Sequence, residues 1–167
     1  MIRDRTFRLA VAIILAMVIS ACGGGSPAAP TPIVNFQGQY NGTYSVTGCM
    51  ETAAYAGFCV SSGFATGTIL PIALSLTQSQ SNVTGTITLG SLTGSFTGVV
   101  QTAGNMTGTA TMSNLLIQGL TVLTNITGWN TTISGSSLNG TFTIAFTVAG
   151  VAGGTTINAT IVQLVRS

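Results

Sequence analysis

The segment NVTGTITLGSLTGSFTG, residues 82–98, decides the fold. On each side of Gly90 and Ser91, apolar residues or glycines alternate with polar residues. A period of two is that of a β-strand with one apolar face. A two-residue turn that begins with glycine is typical of a type II′ hairpin. The segment therefore predicts two antiparallel strands joined by a tight turn.

The glycines of this hairpin lie on its apolar face. In the register that the turn sets, Ile87 faces Gly94 and Phe96 faces Gly85, so a bulky residue stands opposite each glycine. Glycine weakens a strand, and it is found where a sheet bends sharply or another group comes close. Barrels use such glycine kinks to close, with aromatic side chains covering the exposed backbone. We interpret these glycines as positions where the sheet curls toward its apolar side around a filled interior.

Similar alternation recurs along the chain without a helical period, which predicts an all-β fold. An apolar-(Thr/Asn)-Gly-(Thr/Ser)-apolar unit occurs around Gly42, Gly67, Gly85, Gly94, Gly108 and Gly140, with a variant at Gly128. The fold predicted is an antiparallel up-and-down meander of about eight strands that closes into a barrel, filled by side chains or holding one small ligand. Residues 113–137 have no single period. The strands are predicted near 34–46, 72–78, 83–89, 92–100, 105–112, 120–133, 138–148 and 156–165.

Charge is almost absent after residue 10. Of four basic and two acidic residues, only Glu51 and Arg166 lie beyond it, and the chain has no histidine. Without a basic patch the chain cannot neutralise phosphates, which excludes nucleic acid as a partner. General acid–base catalysis most often needs histidine or a carboxylate pair. We therefore expect no catalytic residues, no enzyme activity and no cofactor.

The N-terminus has the anatomy of an export signal. Three arginines precede an apolar run from Leu9 to Ile19. The run is too short to span a bilayer, which takes about 20 apolar residues. It has the length of a signal-peptide core that follows a positively charged region. Residues 1–21 therefore predict a signal-peptide helix.

The residues ISAC at positions 19–22 resemble the lipobox of bacterial lipoproteins. In that family the cysteine thiol receives a diacylglycerol, so the resemblance implies that Cys22 is lipidated, begins the mature chain and anchors it to a membrane. Residues 22–32 would then be a flexible Gly/Pro-rich tether, and residues 33–167 the barrel domain. In the same family, an aspartate directly after the cysteine favours retention at the inner membrane. Gly23 occupies that position here, so the resemblance implies an outer-membrane location. The alternative is a secreted protein with a free Cys22.

Cys49 and Cys59 bracket the loop CMETAAYAGFC. Export to an oxidising compartment predicts a disulfide between them, which would contribute about 3 kcal/mol in the chain-entropy model. Two buried thiols are the alternative. We expect no metal site, because no histidine and only one carboxylate could complete it.

Residues 36–40, FQGQY, resemble the G-x-W motif that opens the first strand of lipocalins and avidins. Gly38 and Tyr40 occupy its positions, with tyrosine in place of tryptophan, and both families are eight-stranded meander barrels. Taken whole, the signal, tether and barrel resemble the small Thr/Gly-rich β-barrel lipoproteins of bacterial envelopes. A transmembrane barrel is disfavoured by glycines on the apolar face, missing aromatic girdles and a nearly uncharged lumen.

Two functions remain open at this point. The first is a lipid-anchored, non-catalytic envelope protein whose neutral Thr/Asn surface has a structural role or contacts protein partners. The second is a lipocalin-like carrier that holds a small apolar ligand, with the Cys49–Cys59 loop near its mouth. The glycine pairing predicts a filled interior and so favours the first.

Overall fold

The computed structural model describes residues 32–117 and 120–167. The predicted signal peptide, Cys22 and all of the tether except Pro32 lie outside the described residues. The described residues include a 3₁₀ turn, Ala53–Tyr55, and a one-turn helix α1, Phe58–Ser61. No helix in the described part is long and apolar enough to cross a bilayer. The strands are β1 Gly38–Glu51, β2 Ile69–Ser79, β3 Asn82–Leu89, β4 Leu92–Val100, β5 Met106–Met112, β6 Leu115–Ile117, β7 Leu120–Ser134, β8 Ser137–Val148 and β9 Thr155–Arg166.

The strands form a closed antiparallel meander. Strands β1 to β5 pair in chain order, as do β6 to β9, while β9 pairs back with β1 and β5 pairs with β7. The short β6 pairs with β7 beyond the end of β5, so β5 and β6 follow one another along the same edge of β7. The barrel therefore has eight strand positions, and the predicted all-β, eight-stranded meander is confirmed.

The hairpin of β3 and β4 has the predicted register. Both pairs, Gly85 with Phe96 and Ile87 with Gly94, are observed. The first turn residue has a φ of +59°, as a type II′ turn requires. A Cβ placed on Gly85 would lie 2.0 Å from the carbonyl oxygen of Ser75 on β2. Only glycine lets the backbones of β2 and β3 come this close, which agrees with its predicted role in curvature.

Most of the other glycine units occupy equivalent positions. At each, a Cβ would approach a backbone atom of the neighbouring strand to less than 3.0 Å. Two units differ, because one glycine lies in the turn before β2 and the other lies at a bulge. The units within strands are those of Gly42, Gly85, Gly94, Gly108 and Gly140, whereas Gly67 is in the turn and Gly128 at the bulge.

The bulge explains why the sequence of β7 has no single period. Val122 and Ile126 are buried in the interior, whereas beyond Gly128 the buried residues are Trp129 and Thr131. Gly128 has a φ of +62°, and the pairing of β7 with β8 shifts register beside it. A β-bulge inserts one extra residue into a strand. The parity of the inward-facing residues therefore reverses within β7.

The first strand begins later than residue 34, near which the sequence predicts its start. β1 begins at Gly38, because residues 34–37 form no ladder with β2 or β9. These four residues instead cover one end of the barrel, which we call the sealed end. Phe36 is buried in the core and Val34 packs against it. Their parity matches that of β1, so a period of two does not separate the cover from the strand.

Side chains from three strands hold residues 34–37 over the sealed end. Gln78 on β2 forms two hydrogen bonds with the backbone of this segment, of 2.7 and 2.9 Å. The Tyr40 hydroxyl on β1 donates to the segment's backbone at 3.0 Å and accepts from Arg166 on β9 at 2.6 Å. A Cβ on Gly104, in the β4–β5 loop, would lie 3.4 Å from the segment. The cover therefore reaches from β1 to the opposite side of the barrel.

Aromatic side chains fill the middle of the barrel. Trp129 stacks on Phe142 with ring centroids 5.1 Å apart and meets Phe96 edge-on at 5.3 Å. Tyr44 packs edge-on against Phe142, with ring centroids 5.2 Å apart. The indole N–H of Trp129 donates to the Thr131 hydroxyl at 3.0 Å, so its polar atom is paired. Each such aromatic pair contributes about 0.5–1.5 kcal/mol beyond its buried area.

Candidate functional site

The end of the barrel opposite the sealed end, which we call the mouth, is covered by the β1–β2 connection. This connection, residues 52–68, contains α1, and we call it the flap. A disulfide joins Cys49 in β1 to Cys59 in the flap, with Cα atoms 6.1 Å apart. The predicted disulfide is therefore confirmed, and the loop that it closes lies at the mouth.

Glu51, at the end of β1, fastens the flap a second time. Its carboxylate accepts hydrogen bonds from the backbone N–H of Gly57, at 2.8 Å, and of Cys59. Hydrogen bonds to an ionised acceptor are stronger than neutral ones. The carboxylate and both disulfide sulfurs lie within 4.8 Å of one another. Because the two sulfurs are bonded to each other, they do not offer the thiolates that a metal would require.

The flap is also tied to the strands next to β1. The Tyr55 side chain is buried, and its hydroxyl accepts a hydrogen bond from the backbone N–H of Val148 at 2.7 Å. Thr52 exchanges hydrogen bonds with Gly154, both of 3.1 Å, directly beyond the pair of Glu51 with Thr155. The flap is thus fixed to β1 and to the neighbouring β8–β9 region.

A pocket of about 310 Å³ lies between the flap and the aromatic cluster. The flap contributes Phe58 and Phe64, and the strands contribute Leu70, Ile144 and Phe146. None of the residues that line this pocket carries a charge. Pockets for small molecules commonly measure about 300–1,000 Å³, so this one suits a small molecule or one end of a longer chain.

Three phenylalanines, two from the flap and one from β8, form one wall of the pocket. The ring of Phe146 lies 5.2 Å from that of Phe58 and 5.4 Å from that of Phe64, between centroids. Phe58 and Phe64 are only half-buried, whereas Phe146 is buried. This wall joins the flap to β8 by apolar contact alone, so the pocket side of the flap is hydrophobic.

Tyr44 brings a polar group to this apolar pocket. It lies on β1 opposite Leu70 of β2, and its side chain is only 2 % exposed. Burial raises the pKa of Tyr44 to about 12. The phenol therefore stays protonated at neutral pH and keeps a proton to donate.

Large apolar side chains also remain exposed around the mouth. The most exposed is Val60 in α1, at 77 %. Scattered exposed hydrophobic residues are ordinary, but here they gather at the end of the barrel that holds the pocket. The group consists of Met50, Val60, Ile69, Leu120, Leu123 and Val151.

The sequence predicted only part of this site. Cys49 and Cys59 come together as predicted, and Cys22 lies outside the described residues. The roles of Glu51 and Tyr44 and the phenylalanine wall were missed. One signal for the wall exists: Phe58 and Phe64 are bulky apolar residues in a stretch without strand periodicity, which suggests a loop that packs on a core.

Comparison of the chain with protein-family models, with curated proteins and with solved structures gives no significant match.

Proposed function

We propose that this protein is a lipid-anchored, non-catalytic β-barrel of the bacterial envelope that binds a small apolar ligand at its mouth. The observation that carries the proposal is the uncharged pocket of about 310 Å³ under the disulfide-held flap. Each Å² of apolar ligand surface that leaves water there contributes about 25 cal/mol. A wall of phenylalanine, leucine and isoleucine fits a ligand held mainly by such burial.

The division of the interior favours binding over a purely structural role. Around Trp129 the barrel is packed with aromatic rings, as a scaffold would be. At the mouth, by contrast, the same strands leave space, and a separate flap closes over it. Apolar cavities cost stability, on the order of 24 cal/mol per Å³ when they are enclosed. A barrel that served only as a scaffold would gain by filling this space.

The chemistry of the pocket supports a non-catalytic role. Its side-chain polar groups are the hydroxyls of Tyr44, Ser62 and Ser91. The pocket lining offers no histidine, carboxylate or thiol that could act as a base for them. These groups can form hydrogen bonds with a bound molecule, but they lack the partners that nucleophilic catalysis needs.

Binding can be tested with one pair of variants in neighbouring residues. Leu70→Glu puts a carboxylate into the pocket wall, whereas Ile69→Glu puts it on the exposed side of the same strand. The full chain, with Cys22→Ser to prevent lipidation, is titrated with the uncharged fluorophore N-phenylnaphthylamine. We expect Leu70→Glu to weaken binding at least tenfold, because an unpaired carboxylate in contact with an apolar ligand is costly. Ile69→Glu should change it less than twofold.

Circular dichroism of both variants controls for folding. If the unaltered protein does not bind the fluorophore, or if the two folded variants bind it equally, the pocket is not the site and the proposal fails.

The anchor requires its own experiment. In cells fed a labelled fatty acid, the unaltered protein should incorporate label and the Cys22→Ala variant should not. Membrane fractionation of the labelled protein would then test the outer-membrane location that Gly23 implies. Label in the Cys22→Ala variant would overturn the lipobox interpretation without affecting the pocket.

A further inference from the structure

Tyr44 is the one tyrosine of the chain whose hydroxyl has no hydrogen-bond partner among the described residues. The other two are engaged: Tyr40 bonds to the backbone of the sealing segment and to Arg166, and Tyr55 accepts from the N–H of Val148. Tyr44 is nevertheless 98 % buried, by the 2 % exposure of its side chain, and it lines the pocket.

The Tyr44 hydroxyl is not among the fully buried side-chain atoms that lack a partner in the described residues, so it is open to the pocket that Tyr44 lines, where water can bond to it. A ligand that fills the pocket displaces this water, and leaving the phenol without a new partner then costs free energy. The hydroxyl of Tyr44 therefore points to a group that the pocket receives from outside.

The absence of charge in the pocket lining limits which ligand groups can bond to Tyr44. The lining of the pocket has no arginine or lysine to pair with a carboxylate or phosphate. The carboxylate of Glu51 is not part of the pocket lining and is bonded to two backbone N–H groups of the flap, so the lining offers no ion pair to a cationic ligand either. An ionised ligand group would be buried without a partner, which is strongly unfavourable.

We infer that the ligand is an uncharged amphiphile whose polar oxygen, a ketone, ester, amide or hydroxyl oxygen, accepts a hydrogen bond from Tyr44 while its apolar remainder lies against Phe58, Phe64 and Phe146. This inference rests on the proposed function and specifies the ligand class for the same pocket. Because the phenol stays protonated up to about pH 12, the interaction holds throughout the physiological range.

The test compares probes that differ only in their polar group. Methyl octyl ketone, decane, decanoate and decyltrimethylammonium are each used to displace N-phenylnaphthylamine from the full chain carrying Cys22→Ser. We expect the ketone to bind most tightly. Tyr44→Phe should weaken ketone binding about three- to tenfold, the range of one neutral hydrogen bond, and leave decane and the fluorophore unchanged.

Tyr55→Phe is the matched control, since this hydroxyl is already bonded to Val148 and does not line the pocket. It should leave ketone binding unchanged. Urea unfolding without ligand gives a second readout. Tyr44→Phe should not lower the unfolding midpoint, because no protein partner loses a bond, whereas Tyr55→Phe should lower it.

The outcomes separate the two proposals. Loss of fluorophore binding altogether would reject the pocket as a site. If the fluorophore binds but Tyr44→Phe leaves ketone affinity unchanged, or if decanoate or the quaternary ammonium binds most tightly, the ligand class is wrong and the pocket stands.

Discussion

The sealed end and the mouth are built on the same eight strand positions, but they differ in whether their buried polar groups have hydrogen-bond partners. Toward the sealed end, the polar atoms of Tyr40 and Trp129 are hydrogen-bonded within the protein. Toward the mouth, the buried hydroxyls of Thr124 and Thr155 have no hydrogen-bond partner among the described residues. The two threonines lie on either side of Phe146 in the pocket wall, on β7 and β9.

The difference shows how one alternating pattern can serve both stability and binding. Aromatic rings and paired polar groups fill the interior toward the sealed end, and close packing of this kind stabilises a small barrel. Toward the mouth the fold retains open space and unpaired hydroxyls, which lower stability there. Regions that bind ligands are commonly drawn from the less stable parts of a protein.

The largest expected effect is at Trp129. Removing its ring by Trp129→Ala should lower the free energy of unfolding by about 3–5 kcal/mol, because a large cavity opens between Phe96 and Phe142. Phe58→Ala, in the half-buried wall of the mouth, should cost about 1 kcal/mol. Denaturant unfolding with a shared m-value measures both. Equal losses would mean that the two ends are equally packed.

A smaller effect is expected from adding a methyl group to a curved strand. Gly85→Ala would place a carbon 2.0 Å from the carbonyl oxygen of Ser75 and should cost about 1–3 kcal/mol by overpacking. Gly48→Ala is the matched control, since the nearest atom to its Cβ would be 3.7 Å away, on Asn158. Its effect should stay within about 0.5 kcal/mol. The same unfolding experiment measures both variants. If Gly85→Ala does not lower the free energy of unfolding, glycine at this position is not required for the curvature of the sheet.

The smallest effects should have opposite signs at the two ends. Thr124→Val removes an unpaired buried hydroxyl near the mouth and should stabilise the protein by about 1 kcal/mol. Thr131→Val removes the acceptor of the Trp129 indole N–H and should destabilise it by about the same amount. A calorimetric comparison of melting temperatures suffices. Destabilisation by both substitutions would mean that the hydroxyl of Thr124 is stabilising as well, and that the two ends do not differ in this respect.

The parts of the fold that could be predicted from sequence are those where local pattern and tertiary pairing agree. The β3–β4 hairpin has an uninterrupted period of two and a turn that fixes the register, so Gly85 and Phe96 pair as predicted. In β7 the bulge at Gly128 reverses the inward parity, and the period fails there. Residues 34–37 keep the parity of a strand although their backbone bonds to the Gln78 side chain.

The pocket was harder to predict because it depends on contacts between distant residues. The Cys49–Cys59 pairing was predicted from export to an oxidising compartment alone, and the structure bears out the disulfide. The local sequence around Phe58 gives no sign that this residue of the flap lies against Phe146 of β8. The place of Tyr44 in the pocket wall likewise depends on residues that come together only when the barrel closes.

The pairing of the first strand with the last has a mechanical consequence. Tyr40 of β1 pairs with Arg166 of β9, so the chain passes into the first strand and out of the last at one end of the barrel. A force that pulls on the start of β1 and the end of β9 would separate these strands one residue pair at a time. The rupture would start at the sealed end, and the far rungs, where Cys49 pairs with Ile157, would be among the last to part.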